Sequence, residues 1–259
     1  MRLFKTIWRI IRQEILKYIG KVAGKPFIQT YEHSFIIAPH PDDEVFSCGG
    51  LISNLTGNGK NVSILFLTKG EASHQGCCNA SIDQIGFERK ALAERADRLL
   101  GLSQQQLFFL SGKDGNIPHK SHEAFLDMAT QIANTIKELS SDVVFCPHPS
   151  EGWSDHIAAT ELTVAAISML PSSSKPKLYY YCVWFWLSLP LRRALKLDWS
   201  KALLLDISEQ LSLKRQAMNV YLGELAPCGN PWVGNLPKEL LRAFEWGKEL
   251  FFEADISLV

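Results

Sequence analysis

Short apolar runs alternate with longer amphipathic stretches over residues 34–183. An apolar run of about four to eight residues between turn residues is typical of a buried strand, whereas apolar positions spaced three and four apart favour a helix. The pattern predicts strands at 35–38, 62–67, 107–110, 143–146 and 178–183, and helices from 42–44 to about 55 and at about 83–100, 121–139 and 155–169. This alternation indicates an α/β, Rossmann-like fold, with a mostly parallel sheet and helices on both faces.

The C-terminal part of the chain continues the pattern less regularly. It predicts a strand at 202–205 and helices at about 208–222 and 237–252. No internal repeat and no low-complexity linker interrupts the sequence. We therefore expect one α/β domain over residues 26–259, preceded by a separate helix over residues 1–25.

The first 25 residues have the pattern of a basic amphipathic helix. Seven Lys and Arg residues stand against the single acid Glu14, and apolar residues recur at helical spacing at Phe4, Trp8, Ile11, Ile15, Tyr18 and Val22. Because charges interrupt every apolar run, we predict neither a signal peptide nor a transmembrane helix. Two alternatives stay open: contact with an anionic membrane, and packing on the same domain or on a second subunit.

Composition narrows the function classes. Apolar residues make up 46% of the chain and charged residues 21%, as in ordinary globular proteins. With 27 basic and 27 acidic residues the formal net charge is zero, so no global charge favours a nucleic-acid partner. The six cysteines form no C-x-x-C pair, which argues against a structural zinc knuckle. Without an export signal, free thiols in the reducing cytoplasm are expected.

Two polar clusters follow predicted strands: residues 39–44 after the first and residues 148–156 after the fourth. The carboxyl ends of parallel strands meet at one edge of a sheet, where α/β proteins bind ligands. His40 and Asp43, three residues apart across a strand-to-helix turn, can reach one ion, while Asp42 points beside it. Together with another histidine they would form a set that suits catalytic Zn²⁺, although Fe²⁺ uses the same ligands. The alternative is an acidic cap on the helix.

The segment Pro39-His40-Pro41-Asp42-Asp43-Glu44, followed by an apolar helix with Gly49-Gly50, resembles the signature of the PIG-L/LmbE-like deacetylases. These metal-dependent enzymes remove acyl groups from N-acylated sugars, typically N-acetylglucosamine units. The resemblance covers residues 34–165 well and the rest of the chain loosely. Further matches follow in the expected order at Thr68–Glu71, Arg89, Leu100-Gly101, Asp114-Gly115 and Ser154-Asp155-His156.

The resemblance implies zinc ligands at His40, Asp43 and His156 and a general base at Asp42. Zinc lowers the pKa of its bound water to about 7, and Asp42 would accept the proton as that water attacks the amide. Asp155, next to a ligand, could orient an imidazole. Arg89 is a candidate substrate contact, with exposure on a helix as the alternative. Glu44 could also contact substrate or only cap its helix.

The distal motif departs from the family. Family members commonly have His-x-Asp-His or His-x-Asn-His, whereas this chain has Trp153 at the first position. That histidine helps to stabilise the oxyanion or to protonate the leaving group, and an indole N–H can donate a hydrogen bond but cannot release a proton at ordinary pH. Three outcomes are open: His148 reaches the site instead, zinc alone suffices, or activity is lost. We favour His148 as a catalytic residue and Trp153 as a substrate contact.

The expected function is zinc-dependent removal of an acetyl or other acyl group from an N-acetylated sugar or sugar conjugate. The alternatives are a metal-dependent amidase for another small acylated amine, and an inactive family member used for binding. We expect a cytoplasmic protein, with the inner face of a membrane as a further site if residues 1–25 contact lipid, and self-association stays open. The remaining predictions are surface positions for His33, His74, His119 and His122, and a core or subunit interface for the aromatic run Tyr179–Trp186, with stacking on sugar rings as the alternative.

Overall fold

An eight-stranded sheet forms the centre of the protein in the computed structural model, which describes residues 2–255 and side chains from Thr6 onward. The spatial order of the strands is β1-β7-β8-β6-β5-β2-β3-β4. Strand β8 runs antiparallel to both its neighbours, and the other neighbours pair in parallel. The strands are β1 (Lys25–Pro26), β2 (His33–Ala38), β3 (Asn61–Phe66), β4 (Leu107–Phe109), β5 (Val143–Pro147), β6 (Lys177–Tyr181), β7 (Ala202–Asp206) and β8 (Lys248–Glu253).

Helices cover both faces of this sheet. They are α1 (Arg2–Ala23), α2 (Asp43–Gly57), α3 (Ile82–Leu99), α4 (Phe125–Glu138), α5 (Ser154–Ser168), α6 (Phe185–Ser188), α7 (Leu191–Ala194), α8 (Leu211–Gly223) and α9 (Lys238–Phe244). Strand β2 is apolar at consecutive positions because it is covered on both faces of the sheet. Phe35 and Ile37 belong to the core under α4 and α5, whereas Ile36 and Ala38 belong to the core under α2 and α3. The predicted α/β, Rossmann-like class with a mostly parallel sheet is confirmed.

The prediction of a helix over 237–252 is wrong beyond Phe244. Helix α9 ends there, and Lys248–Glu253 forms β8 between β6 and β7. Leu250, Phe251 and Phe252 are all buried because a strand inside the sheet is covered on both faces. A helix on the surface of the sheet would bury only one side of this run. Two smaller differences are the start of α4 at Phe125 and the additional short strand β1.

Strand β8 also anchors α2, the helix that begins at the polar cluster after β2. Buried Glu249 forms an ion pair with Lys214 Nζ at 2.7 Å and accepts hydrogen bonds from the backbone N–H groups of Gly50 and Leu51. Helix α2 lies so close to its neighbours that a Cβ atom on Gly50 would stand 2.4 Å from Ile207 Cγ2. The Gly49-Gly50 pair thus lets α2 approach the C-terminal segment.

Helix α1 packs on the rest of the protein through an unexpected face. Arg12 Nη1 donates to the Leu189 carbonyl at 3.0 Å, Gln13 Nε2 donates to the Glu239 carbonyl at 2.7 Å, and Leu16 is fully buried. The apolar positions Trp8, Ile11, Tyr18 and Val22 are instead 46–69% exposed, and the side chain of Phe4 lies outside the described residues. Among residues 2–255, no helix is long and apolar enough to cross a membrane. The division into residues 1–25 and one domain over 26–259 stays a prediction.

Candidate metal and active site

The turn between β2 and α2 holds three acidic side chains in different directions. Asp42 has a φ of 136°, a conformation that non-glycine residues rarely adopt. Its backbone N–H donates to Glu44 Oε2 at 2.9 Å, and Glu44 Oε1 accepts a hydrogen bond from the Tyr221 hydroxyl at 2.6 Å. Strained conformations of this kind persist only where surrounding contacts hold them. Glu44 and Tyr221 thus fix the direction of Asp42.

Glu44 itself does not reach the cavity beside this turn. It is fully buried, and burial, offset in part by the Tyr221 hydrogen bond, raises its pKa to about 8. The structure therefore does not bring Glu44 to a place where it could contact substrate, the role expected from the sequence. Its carboxyl group supports the turn from behind.

Carboxylates surround the imidazole of His40. Nδ1 lies 3.2 Å from Asp43 Oδ2, whereas Nε2 lies 3.0 Å from Asp155 Oδ2 and 3.1 Å from Asp114 Oδ1. Burial alone would lower the pKa of His40, but the hydrogen bonds with Asp114, Asp155 and Asp43 raise it well above its ordinary value. Asp155 also accepts from the N–H groups of Gly115 and Ile117. Asp155 thus orients the ring of His40 rather than that of its chain neighbour His156.

His156, at the start of α5, is fully buried and faces two acids. Its Nε2 lies 3.4 Å from Asp43 Oδ1, and its Nδ1 lies 3.5 Å from Glu151 Oε2. These separations allow charge attraction, which raises the pKa of His156 against the opposing effect of burial. Neither nitrogen has a hydrogen-bond partner among the described residues. A buried nitrogen without a partner is rare and is what an imidazole that binds a metal presents.

Ligand atoms of His40, Asp43 and His156 lie within 4.8 Å of one another, and so do those of His40, Asp114 and Asp155. In the second set the carboxylates already have backbone hydrogen-bond partners, because Asp155 accepts from the N–H groups of Gly115 and Ile117 and Asp114 accepts from that of Ala72. The first set contains the unpartnered His156. The residues present therefore fit a divalent metal held by His40, Asp43 and His156, with Asp155 and Asp114 holding Nε2 of His40.

Arg89, buried on α3, forms an ion pair with Asp42 beside the candidate metal ligands. Its Nη2 lies 3.2 Å from Asp42 Oδ2, and its guanidinium donates to the carbonyls of Gly70 and Pro41. Burial raises the pKa of Asp42 to about 7, although Arg89 acts in the opposite direction. A Cβ atom on Gly70 would stand 2.2 Å from Arg89 Nη1, so the glycine in the turn after β3 makes room for this arginine.

A cavity of about 370 Å³ opens beside these groups. His40, Asp42, Asp43, Arg89 and Asp114 contribute its charged side, and Trp153, Trp184, Phe46, Val233 and Leu236 are among its apolar walls. Trp153 stacks on Trp184 at the rim, with ring centroids 4.8 Å apart, and is 47% exposed. The predicted residues His40, Asp42, Asp43, Arg89 and Trp153 thus meet at one cavity. Asp155 and His156 lie directly behind it.

His148 is not brought to this cavity. Its ring lies against Tyr180, Phe185 and Phe252, at centroid distances of 5.7, 5.3 and 4.9 Å. Its Nδ1 accepts the Ser150 N–H, and burial lowers its pKa to about 3. Because Tyr180 of β6, Phe185 of α6 and Phe252 of β8 enclose it, the structure does not place this neutral imidazole where it could act in place of the histidine missing at Trp153.

The structure also corrects the prediction for His74, which is 2% exposed rather than on the surface. Phe185 and Trp186 of the aromatic run are buried, as expected for core residues, whereas Trp184 lines the cavity.

Three residues that shape the site have no role predicted from the sequence: Asp114, Glu151 and Tyr221. The Asp114-Gly115 turn was visible as a motif. Glu151 follows β5 and accepts the N–H groups of Val183 and Trp184. Tyr221 had no local signal, because it comes from α8 and meets Glu44 only in the folded chain.

The fold and the site together define an α/β protein with a candidate His₂Asp metal centre at the carboxyl edge of its sheet. The chain belongs to the PIG-L family, described as GlcNAc-PI de-N-acetylase, which matches residues 35–167. This stretch includes His40, Asp43 and His156.

Three proteins are similar to this chain in sequence or in structure. A 1D-myo-inositol 2-acetamido-2-deoxy-alpha-D-glucopyranoside deacetylase of Corynebacterium kroppenstedtii is 31% identical over 161 residues, which cover 54% of this chain and 42% of that enzyme. The chain spans about half the length of such curated relatives. The structure of N,N'-diacetylchitobiose deacetylase from Pyrococcus horikoshii is similar at a TM-score of 0.66 and 18% identity, covering 98% of this chain and 94% of that one.

The third similar protein has a different activity. GalB, the 4-carboxy-2-hydroxymuconate hydratase of Pseudomonas putida KT2440, has a TM-score of 0.59 and 18% identity over 74% of this chain and 80% of its own. The structural likenesses therefore establish the fold, and the reaction has to be argued from the site.

Proposed function

We propose that this protein is a zinc-dependent hydrolase that removes the acetyl group from an N-acetylated sugar or sugar conjugate of the N-acetylglucosamine type. The observation that carries the proposal is the buried cluster of His40, Asp43 and His156 at the wall of a 370 Å³ cavity, next to Asp42. Family membership supports it, since the matched family is described as a de-N-acetylase.

Zinc is the metal that we propose for this donor set. Two imidazoles and one carboxylate from the protein leave a coordination position open, as in catalytic zinc sites. A bound Zn²⁺ would supply a Lewis acid and a positive charge that promotes the loss of a proton from water. All three ligands are nine-tenths or more buried, so the protein excludes bulk solvent around the ion.

Asp42 would move the proton in this reaction. A carboxylate with a pKa near the working pH accepts a proton from the attacking water and later gives it to the departing amine. The strained backbone of Asp42 and its contact with Arg89 hold the carboxylate at the cavity. Arg89 keeps a cation beside Asp42, so that its anionic form stays available despite burial.

Asp155 and Asp114 would set the tautomer of His40. With a metal bound, Nε2 would keep the hydrogen that faces Asp155 and Asp114, and the lone pair of Nδ1 would be free for the metal next to Asp43. Glu151 has the corresponding position for His156, near Nδ1, which leaves Nε2 facing Asp43. The acids around the cluster thus orient both imidazoles toward one point.

The lining of the cavity suits a sugar. The stacked pair Trp153 and Trp184 gives an exposed aromatic face at the rim, and aromatic faces can stack on sugar rings. Arg89, Ser73 and Asn235 bring polar groups to the same cavity. The named activities of the relatives, on acetamido sugars, support this substrate class.

Two alternatives compete with this function. A metal-dependent amidase for another small acylated amine would use the same charged residues and differ only at the rim. A non-catalytic binding protein is favoured by Trp153, which cannot release a proton in the place where the family commonly has a histidine.

Acetate release separates these functions. Free, nucleotide-linked and lipid-linked N-acetylated sugars would be incubated with the protein, with and without a chelator, beside simple N-acyl amines. We expect acetate from at least one sugar, and its loss on chelation and its recovery with Zn²⁺. Release only from non-sugar amines would favour the amidase. No release from any substrate by zinc-loaded, folded protein would contradict catalysis.

The exposed face of α1 supports a further part of the proposal, peripheral contact with an anionic membrane at its cytoplasmic side. Trp8, Ile11, Tyr18 and Val22 present an apolar surface with exposed basic Arg9 and Lys21 on the same helix. Helices that lie in the membrane interface combine these features. A lipid-linked glycan would then be a natural substrate.

A further inference from the structure

A second cluster of metal-binding side chains lies where two loops meet. The first loop follows β3 and contributes His74, Cys77 and Cys78, and the second follows α8 and contributes Cys228. One ligand atom from each of the four residues lies within 4.8 Å of all the others. None of the four belongs to the cluster around His40.

The three distances among His74, Cys77 and Cys228 resemble the edges of one face of a tetrahedron. His74 Nδ1 lies 3.1 Å from Cys77 Sγ and 3.4 Å from Cys228 Sγ, and the two sulfur atoms lie 3.5 Å apart. Zinc–sulfur and zinc–nitrogen bonds of about 2.3 and 2.0 Å imply tetrahedral edges of about 3.8 Å between two sulfurs and about 3.5 Å between sulfur and nitrogen. A shift of a few tenths of an ångström would bring these atoms to that geometry.

The other nitrogen of His74 fixes which atom faces the thiols. Nε2 lies 2.8 Å from the backbone carbonyl of Pro231, and a carbonyl only accepts, so Nε2 carries the hydrogen. The lone pair of Nδ1 is therefore directed at the sulfur atoms. His74 is 2% exposed and has its ring edge-on to Trp232. A histidine whose second nitrogen donates to a carbonyl is the usual arrangement for a metal ligand.

We propose that His74, Cys77, Cys78 and Cys228 bind a zinc ion in a structural Cys₃His site. Four protein ligands leave no open coordination position, as in structural rather than catalytic zinc sites. Three sulfur donors and one imidazole select zinc over the hard cations Mg²⁺ and Ca²⁺. Binding replaces the thiol protons with bonds to the metal and releases those protons to solvent.

The ion would join two walls of the candidate active site. Ala72 and Ser73 of the first loop line the cavity, as do Val233 and Asn235 of the second. Ser73 Oγ also donates to the Trp232 carbonyl at 2.8 Å. Cys77 and Cys228 are 151 positions apart in the chain, so a metal at this point closes a long segment. The site thus stabilises the cavity without touching its chemistry.

The test uses Co²⁺ as a spectroscopic probe on the full chain, purified under reductant and without oxygen. Cobalt bound to thiolates absorbs strongly in the near ultraviolet, and the His40 cluster contains no sulfur. We expect the wild type to show this absorption and the double variant His40→Ala/His156→Ala to keep it. The variant Cys77→Ser/Cys228→Ser should lose it together with one equivalent of bound metal. Cys146→Ala, a buried thiol elsewhere, should leave it unchanged.

Three results would overturn the proposal. One is the absence of thiolate absorption with excess Co²⁺ in wild-type protein that circular dichroism shows to be folded. Another is absorption that survives in Cys77→Ser/Cys228→Ser. The third is a disulfide between Cys77 and Cys228 in protein alkylated at cell lysis, which would make the cluster a redox pair. If the double variant does not fold, His74→Gln replaces it, with Co²⁺ affinity expected to fall at least about tenfold.

Discussion

The substitution Asp42→Asn tests the mechanism and the electrostatics of the site at once. Asn has almost the same shape as Asp and also tolerates a positive φ, so the backbone at 136° is retained. It cannot accept a proton. General-base catalysis contributes about 10²- to 10⁴-fold, and we expect kcat to fall by that factor while His40, Asp43 and His156 still hold the metal.

The same substitution should stabilise the metal-free protein, in a pH-dependent way. Burial raises the pKa of Asp42 from an ordinary 3.8 to about 7. Its contribution is therefore most favourable below about pH 4, where it is protonated in both states, and is lost as the pH rises through about 7. The difference corresponds to at most about 4 kcal/mol. Asn lacks the charge, so the variant should gain stability at alkaline pH and little at acid pH.

The assay compares wild type, Asp42→Asn and Asp83→Asn, an exposed acid on α3. Thermal unfolding in chelator is measured from about pH 4 to pH 8, where 1 kcal/mol shifts Tm by about 2–4 °C for a chain of this size. Acetate release and bound metal are measured on the zinc-loaded forms. The mechanism is refuted if Asp42→Asn keeps more than about a tenth of the wild-type kcat. A Tm difference that does not grow with pH refutes the electrostatic argument.

Three further predictions concern the rim, the buried histidine and α1. Trp153→His should raise kcat about tenfold or more by restoring a proton donor, whereas Trp153→Phe, which keeps an aromatic ring beside Trp184, should not; an equal rise in both would remove this explanation. His148→Ala should lower Tm by several degrees because it leaves a cavity among aromatic rings, with kcat unchanged, and a selective loss of kcat would restore its catalytic role. Wild type should sediment with anionic vesicles but not with neutral ones, and Trp8→Ser/Ile11→Ser should abolish this; dimers in ultracentrifugation without vesicle binding would instead assign the face to a second subunit.

Local features of the candidate site were predictable from the sequence. His40, Asp42 and Asp43 follow an apolar strand within one turn, so their proximity depends on a few backbone dihedrals and not on the rest of the fold. The rule that parallel strands end at one edge placed both His148 and His156 near this turn, and the family resemblance singled out His156 as the ligand. The alternation of strands and helices over residues 34–183 followed from hydrophobic periodicity in the same way.

Contacts between distant segments could not be predicted. The run Leu250–Phe252 suits a helix or a strand, and only the gap between β6 and β7 makes it a strand. His148 and His156 both follow β5, yet aromatic side chains from β6, α6 and β8 enclose His148 while His156 faces Asp43.

The sequence by itself therefore determined the α/β class and the edge of the sheet at which the candidate metal centre lies, because both depend on short-range periodicity and on the common edge of a parallel sheet, and its resemblance to a family named the ligands. The tertiary structure alone decided that Asp155 holds His40, that Tyr221 and Glu44 hold Asp42, and that Cys228 meets His74. Each of these pairs, apart from Glu44 with Asp42, joins residues more than a hundred positions apart. Their meeting depends on strand order and helix packing, which no local pattern encodes.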